Sequence, residues 1–187
     1  MEQKSNTLVI HPRDLTTDCL EVIYKDRGWD VIRDPDTSPE EVWEAIEKHS
    51  RIIMLGHGTR YGFLAGHYSR GGYFTRFDHF IINQTHTELL RKKDTFSIWC
   101  NSDLFFKRCD IPGLHTGMII SEEDEEYVIL GKAPLDEEEM AKNMELFCGA
   151  FAKYIDLAPE ECAKKVLEEY VGDDPVTLYN RERIIVL

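Results

Sequence analysis

A histidine and a cysteine that could work as a catalytic pair each follow a short apolar run in the sequence. His57 lies between Gly56 and Gly58, directly after the apolar residues 52–55, and Cys100 ends the segment at residues 95–100. A thiolate attacks carbonyl carbon well, and a nearby histidine can take the thiol proton and return it to the leaving amine. His57 and Cys100 are therefore candidates for general base and nucleophile. The backbone N–H groups of Gly58 and Cys100 are candidate donors to an oxyanion.

Each of these residues also has a purely structural interpretation. Glycines after a strand are common in turns, so the Gly-His-Gly sequence alone can mean that His57 lies in an ordinary turn. A free cysteine is most often a small buried apolar residue, which would explain Cys100 by packing. The catalytic interpretation depends on both residues reaching the same edge of one sheet.

The elements around the pair are predicted to alternate between strand and helix. Apolar runs predict strands at residues 7–10, 29–33, 51–55 and 95–100, and helical spacing predicts helices over 15–27 and from Pro39 onward. Ser38 and Glu41 form the pattern of a capping box at the start of the second helix. This alternation predicts an α/β three-layer sandwich, with a mainly parallel sheet and helices on both faces. The carboxyl ends of its strands lie at one edge, so His57 and Cys100 are expected to face one cleft.

The remaining segments are predicted from glycine content and apolar spacing. Residues 60–77 should form short strands or a hairpin, 80–93 a loose helix, 115–121 a strand, 122–131 an acidic helix, 136–154 and 159–170 helices, and 181–187 an edge strand. His49 is expected to be a surface group at a helix end. His67, His79 and His86 match no compact metal motif, and no metal or cofactor is expected.

Composition narrows the classes of function. A chain of 187 residues with 42% hydrophobic content predicts one domain over residues 1–187. The net charge of −13 argues against binding to nucleic acid phosphates or to an anionic membrane. No stretch approaches the ~20 apolar residues of a membrane-spanning helix, so the protein is expected to be soluble and cytoplasmic. Five widely spaced cysteines without a Cys-x-x-Cys pair predict free thiols, of which Cys100 should be the most reactive.

The segments IIMLGHGTRYGFLAG and TFSIWCNSD resemble the caspase-like cysteine peptidases, which include caspases, metacaspases, gingipains, separases and bacterial caspase-like domains. In that family a hydrophobic strand ends in His-Gly, and a glycine-containing hairpin, a helix and a second hydrophobic strand ending in the catalytic cysteine follow. The resemblance in element order covers about residues 7–120. It implies a caspase-like fold and amide hydrolysis of a peptide or protein substrate, with His57 as general base and acid, Cys100 as nucleophile and Gly58 as oxyanion donor. Asn-Ser-Asp follows Cys100, as in some bacterial members, where the family more usually has a small residue and glycine.

The resemblance also indicates where a substrate side chain would be recognised. In the family, the loop after the first strand often supplies the charged residue that reads the side chain before the scissile bond. That loop here contains Arg13 and Asp14, which would favour acidic and basic substrates respectively. The acidic net charge slightly favours a basic substrate. Alternatively, both residues only cap the next helix and pair on the surface.

Two other classes of protein remain open from the sequence. The first is a caspase-fold module without catalysis that binds a protein partner. The second is a flavodoxin-like α/β domain that binds a nucleotide or small acid at its strand ends, although the chain has neither G-x-G-x-x-G nor a Walker-type lysine loop.

Overall fold

A computed structural model of the chain describes residues 6–68, 74–132 and 134–187. The strands are β1 (Thr7–Ile10), β2 (Asp30–Ile32), β3 (Arg51–Leu55), β4 (Gly58–Thr59), β5 (Gly62–Tyr68), β6 (Phe74–Ile82), β7 (Asp94–Ile98), β8 (Leu114–Thr116) and β9 (Ile184–Val186). The α-helices are α1 (Pro39–Lys48), α2 (Thr87–Leu90), α3 (Ser102–Cys109), α4 (Glu123–Leu130), α5 (Glu137–Tyr154), α6 (Pro159–Glu169) and α7 (Pro175–Arg181). Short 3-10 helices lie at Asp18–Ile23 and Gln84–His86.

The main sheet has six strands in the order β2-β1-β3-β7-β8-β9. Its first five strands are parallel, and β9 pairs antiparallel with β8 at the edge. A second, antiparallel sheet of β4, β5 and β6 contains the predicted hairpin, whose residues 69–73 lie outside the described part of the chain. The prediction of an α/β fold with a mainly parallel sheet is therefore confirmed.

Both faces of the main sheet are buried, because its strands contribute alternate residues to two apolar clusters. Val9, Ile53 and Phe96 belong to the cluster that also contains residues of α5 and α6. Leu8 and Ile52 belong to the other cluster, with residues of α1, α3 and the hairpin. The strands predicted at residues 7–10 and 51–55 are confirmed as β1 and β3, and both contribute to the two clusters.

Capping boxes start the two helices with the clearest boundaries. The Glu41 N–H donates to Ser38 Oγ at 3.2 Å, and the Ser38 N–H donates to Glu41 Oε2 at 2.9 Å. Asp136 and Glu139 form the same reciprocal pair at the start of α5, with distances of 2.9 and 3.0 Å. The predicted start of α1 at Pro39 is therefore confirmed.

Some predicted helix and strand bounds were wrong, because contacts formed in the fold outweigh the spacing of apolar residues in the sequence. Residues 15–27 form only the short 3-10 helix Asp18–Ile23, because the Asp14 carboxylate accepts the Thr16 N–H at 2.9 Å and holds a turn there. Residues 80–82 belong to β6 through pairing with β5, which leaves only α2 of the predicted loose helix. The strand expected over 115–121 ends at Thr116, and α7 was not predicted.

His49 also differs from its predicted position at the surface. Its ring is 7% exposed, Nε2 lies 2.8 Å from Asp30 Oδ2, and Nδ1 lies 2.7 Å from the Ala45 carbonyl oxygen. The chain after α1 turns under β2 and buries the ring, which helical spacing alone did not indicate. No helix in the described ranges combines the length and apolar character needed to cross a bilayer.

Candidate functional site

The ends of two neighbouring parallel strands bring His57 and Cys100 to one cavity. β3 and β7 pair in a register that aligns Leu55 with Ile98, and the two candidate residues each lie two positions beyond those residues. Both line a cavity of about 120 Å³. The cavity opens at the carboxyl edge of the sheet, where α/β folds place their ligands.

The backbone around His57 is held by hydrogen bonds on both sides. The Gly56 N–H donates to the Ile98 carbonyl at 3.1 Å, which ties the turn to β7. The His57 carbonyl accepts the Leu64 N–H at 2.9 Å, which ties it to the hairpin. Gly56 has a φ of +139°, a conformation that favours glycine. His57 is therefore fixed between the main sheet and the hairpin.

Gly58 lies against the indole ring of Trp99. A Cβ atom on Gly58 would lie 2.1 Å from that ring, which itself stacks on Phe63 with a centroid distance of 4.8 Å. The bond from the Leu64 N–H to the His57 carbonyl makes Gly58 and Phe63 a non-hydrogen-bonded pair of the ladder. The Gly58 N–H therefore makes no hydrogen bond within the hairpin ladder. An oxyanion donor must have this property.

Cys100 lies in the turn between β7 and α3, and a hydroxyl network holds that turn. Asn101 follows in the left-handed conformation, with φ 64° and ψ 28°, as the N-cap of α3. The Ser102 hydroxyl donates to the Thr116 carbonyl at 2.8 Å, and the Thr116 N–H donates back to Ser102 Oγ at 2.8 Å. The Thr116 hydroxyl also donates to the Trp99 carbonyl at 3.0 Å. The residues on both sides of Cys100 are therefore attached to β8.

Thr16 and Asp14 set the proton position on the His57 ring. Thr16 Oγ1 lies 2.8 Å from His57 Nε2 and donates its single proton to Asp14 Oδ1 at 2.7 Å. Since that proton goes to Asp14, Thr16 can only accept from His57, so Nε2 carries the ring proton. When the ring has a single proton on Nε2, its lone pair is on Nδ1. Asp14 Oδ2 lies 3.5 Å from Nε2 and adds a negative charge close to the ring.

Asp14 is ionised although it is buried. Burial acts to raise its pKa, but hydrogen bonds from His57 and Thr16 outweigh burial and lower the pKa below its usual value. Its side chain is 2% exposed. The sequence alone did not identify a residue that orients His57, and it indicated Asp14 as a reader of substrate charge or as a helix cap. The position of Asp14 in the loop after the strand predicted at residues 7–10, at the same sheet edge as His57, was the signal that could have identified it.

Arg13 and Asp14 line one surface pocket, which is separate from the cavity of His57 and Cys100. Arg13 differs from the buried Asp14 in exposure. Its side chain is exposed, its N–H donates to the Arg33 carbonyl at 2.9 Å, and it is not among the residues that line the cavity of His57 and Cys100. The structure therefore places neither candidate reader of substrate charge in the wall of that cavity. Recognition of substrate charge by either residue stays a prediction.

The thiol of Cys100 is protonated at neutral pH. Burial, with a smaller contribution from the negative charge of Glu125, raises its pKa to about 11. The backbone N–H of Ile119 acts in the opposite direction and lowers the pKa. A base must therefore remove the proton before this sulfur can act as a nucleophile.

The cavity wall combines apolar side chains, hydroxyl groups and one acidic side. The apolar lining comes from Leu20, Ile98, Trp99, Ile119, Met144 and Phe147. Glu122 and Glu125 line the acidic side, and the N–H and hydroxyl of Ser121 both donate to Glu125 Oε2 at 2.9 Å. Desolvation and the charge of Glu125 raise the pKa of Glu122. The arrangement suits a ligand group with an apolar stem and a positively charged end.

Metal ligation finds no support in the described part of the chain. No group of three or more His, Cys, Asp or Glu side chains there could hold a metal ion. Of the three histidines considered in the sequence, His86 is buried beside Trp43, at a centroid distance of 5.9 Å, and the side chain of His67 lies outside the described residues.

Comparison with known proteins identifies no family for the chain. No protein-family model matches it. No curated protein matches its sequence at a significant level. Function is therefore inferred from the chemistry of the site.

Proposed function

We propose that the chain is a cysteine peptidase in which Cys100 is the nucleophile and His57 the general base and acid. The observation that carries the proposal is that both side chains line one cavity, with His57 Nε2 engaged by the Thr16–Asp14 pair. A thiol, a base and a third group that orients the base are the parts that covalent acyl transfer needs.

Each step follows from the proton positions. His57 Nδ1 takes the Cys100 proton as the sulfur attacks the substrate carbonyl carbon, and the Asp14 carboxylate stabilises the imidazolium through Thr16. The N–H groups of Gly58 and Cys100 donate to the oxyanion. The tetrahedral intermediate collapses, the C–N bond breaks, and His57 gives its proton to the leaving amine. Water, activated by His57, then hydrolyses the thioester and returns the thiol.

The high pKa of Cys100, caused by burial, favours proton removal during attack over a thiolate formed in advance. His57 is then required for the first chemical step as well as for the second. Loss of His57 should therefore reduce acylation of Cys100 by a substrate-like reagent, and not only turnover.

The order of elements supports a caspase-like fold for this peptidase. β3 is followed by His57-Gly58, the β5–β6 hairpin, α2 and β7, and then by Cys100. This is the order of strand, His-Gly, hairpin, helix, strand and cysteine in the family that the sequence resembles. Apolar clusters on both faces of the sheet support the three-layer arrangement. Five free cysteines support a reducing compartment, in keeping with a cytoplasmic location.

The proposed substrate is a peptide or protein with lysine or arginine before the scissile bond. Glu122 and Glu125 on the cavity wall support this preference. Asp14 is buried and bonded to Thr16, so in this proposal it orients His57 and does not contact the substrate. The acidic side of the pocket therefore comes from α4 and the turn before it. Cleavage rates of peptides that differ only in the residue before the scissile bond measure this preference. Equal cleavage of acidic, basic and neutral peptides would contradict it.

A second candidate function is a caspase-fold module that binds a protein partner without catalysis. The observation in its favour is the protonated Cys100, whose pKa burial and Glu125 raise to about 11. This candidate predicts that peptidyl reagents leave Cys100 unmodified while a partner binds equally to the Cys100→Ala variant.

The deciding experiment combines a fluorogenic peptide library with a peptidyl acyloxymethyl ketone that has lysine or arginine next to the reactive group. Wild-type protein should cleave basic peptides and be labelled at Cys100, and Cys100→Ala and His57→Ala should do neither. Cys109→Ala is the matched control, because Cys109 is buried in α3 and does not line the cavity. Full activity in Cys100→Ala would reject the peptidase proposal.

A further inference from the structure

Two cysteines outside the proposed catalytic pair have their thiols in contact. Cys19 lies on the 3-10 helix Asp18–Ile23 and is exposed, whereas Cys148 lies in α5 and is 1% exposed. The two thiols are close enough for each to shift the pKa of the other, and the 3-10 helix that contains Cys19 packs on α5. The chain thus places one accessible and one protected sulfur side by side.

Both cysteines line a surface groove along α5, and the groove gives small molecules in solvent access to the exposed Cys19. Cys19 also lines the separate cavity that contains His57 and Cys100. The sulfur of Cys19 therefore lies between the groove and the cavity.

We propose that Cys19 and Cys148 are a dithiol that hydroperoxides convert reversibly to a disulfide. Cys19 is the attacking sulfur, because it is the exposed member of the pair. Cys148 is the resolving sulfur, because it is already in contact with Cys19 and shielded from direct oxidation. The proposal does not depend on peptidase activity.

The chemistry balances with one hydroperoxide per disulfide. The Cys19 thiolate attacks the peroxide, an S–O bond forms, the O–O bond breaks, and the alcohol or water leaves with a proton. Cys148 then loses its proton and attacks the sulfenic sulfur, so that the S–S bond forms and the S–O bond breaks with release of water. The two sulfur atoms each lose one electron, and the peroxide gains two.

Electrostatics at the pair favour these roles. The hydrogen bond from the Cys148 thiol lowers the pKa of Cys19, and the backbone N–H groups of Cys19 and Leu20 lower it further. The same contact, together with burial, raises the pKa of Cys148. These directions make Cys19 the more acidic of the two thiols and Cys148 the hydrogen-bond donor to it.

The other cysteines are poorer targets for a hydroperoxide. Burial raises the pKa of Cys100 to about 11 and that of Cys162 to about 12, and Cys109 is buried. Because Cys19 also lines the cavity of Cys100, the disulfide would join one wall of that cavity to α5. This consequence for the cavity rests on the proposed function, whereas formation of the bond does not.

The test oxidises the reduced full-length chain with stoichiometric hydrogen peroxide, blocks remaining thiols with N-ethylmaleimide, and maps unreduced peptides by mass spectrometry. A peptide linking Cys19 to Cys148 should form, the free thiols should fall from five to three, and dithiothreitol should reverse both changes.

Cys148→Ala should instead accumulate a Cys19 sulfenic acid that dimedone captures, and Cys19→Ser should show neither product. The matched control Cys109→Ala should form the linked peptide as the wild type does. A Cys19–Cys100 link, or oxidation that spares Cys19, would overturn the proposal, and the wild-type map decides this even if Cys148→Ala fails to fold.

Discussion

Thr16 and His57 lie 41 residues apart in the chain, and their side chains form a hydrogen bond of 2.8 Å. The bond joins the loop after β1 to the loop after β3, two neighbouring strands of the sheet. Because Thr16 donates its own proton to Asp14, the bond decides which ring nitrogen of His57 is protonated. Whether the ring can act as a base toward Cys100 therefore depends on a residue that no catalytic motif would identify.

Asp14→Asn should reduce kcat on a basic peptide by roughly 100-fold, with little change in KM, because the ionised acceptor that fixes the His57 tautomer is lost. Ring nitrogen chemical shifts of His57 should show the altered proton position without reference to activity. Asp18→Asn is the matched control, since Asp18 lies in the same region and pairs with Arg33 at 3.0 Å. Equal kcat values for the two variants would contradict the role given to Asp14.

Gly58→Ala should lower the free energy of unfolding by about 1–3 kcal/mol, because the new methyl group would lie 2.1 Å from the Trp99 ring. Gly149→Ala should raise it by about 0.5–1 kcal/mol, since Gly149 lies inside α5 and a methyl group added there would meet no atom within 4 Å. Urea denaturation of both variants measures the difference. A stable Gly58→Ala protein would mean that Trp99 does not pack against this turn.

The stability of the fold should fall as the pH falls from 7.5 to 5.5. Burial is the main cause that lowers the pKa of His11 and of His115 to about 3, so both stay neutral in the folded chain while they gain protons in the unfolded chain near their ordinary pKa of 6.5. Stability from neutral histidine is complete above the unfolded pKa and is lost as the pH falls toward the folded pKa. Each should cost about 1.4 kcal/mol over this interval.

Urea denaturation at several pH values measures this slope, and His115→Gln should reduce the loss of stability over this interval by about 1.4 kcal/mol. Gln cannot gain a proton, so the slope reports on His115 even if the variant is less stable overall. An unchanged slope in His115→Gln would show that His115 gains its proton as readily in the folded chain as in the unfolded chain.

Iodoacetamide at pH 7.5 should modify Cys19 before Cys100 in the reduced protein without substrate. Cys19 is exposed and its pKa is lowered by the Cys148 thiol, whereas burial raises the pKa of Cys100. This order differs from the expectation from sequence, in which Cys100 was the most reactive thiol. Timed alkylation with peptide mapping measures the rates, and faster modification of Cys100 would mean that its thiolate forms without substrate.

The sequence by itself determined those helices and strands that depend on residues close together in the chain. The Ser38–Glu41 capping box starts α1 where predicted, because both partners lie within one helical turn. The apolar run before Gly56 forms β3, because such a run is stable when buried on both faces. The sequence also indicated His57 and Cys100 as neighbours at one sheet edge, since parallel strands have their carboxyl ends on the same side.

Only the tertiary structure decided which residues surround His57 and Cys100 at that sheet edge. Asp14 and Thr16 reach His57 because β1 lies beside β3, a strand order that local spacing does not encode. Cys19 meets Cys148 for a similar reason, since the 3-10 helix packs on a helix that comes much later in the chain. The raised pKa of Cys100 likewise results from burial by distant residues and the charge of Glu125. Proton position, thiol acidity and contact between thiols all depend on distances between segments, and those distances exist only in the folded chain.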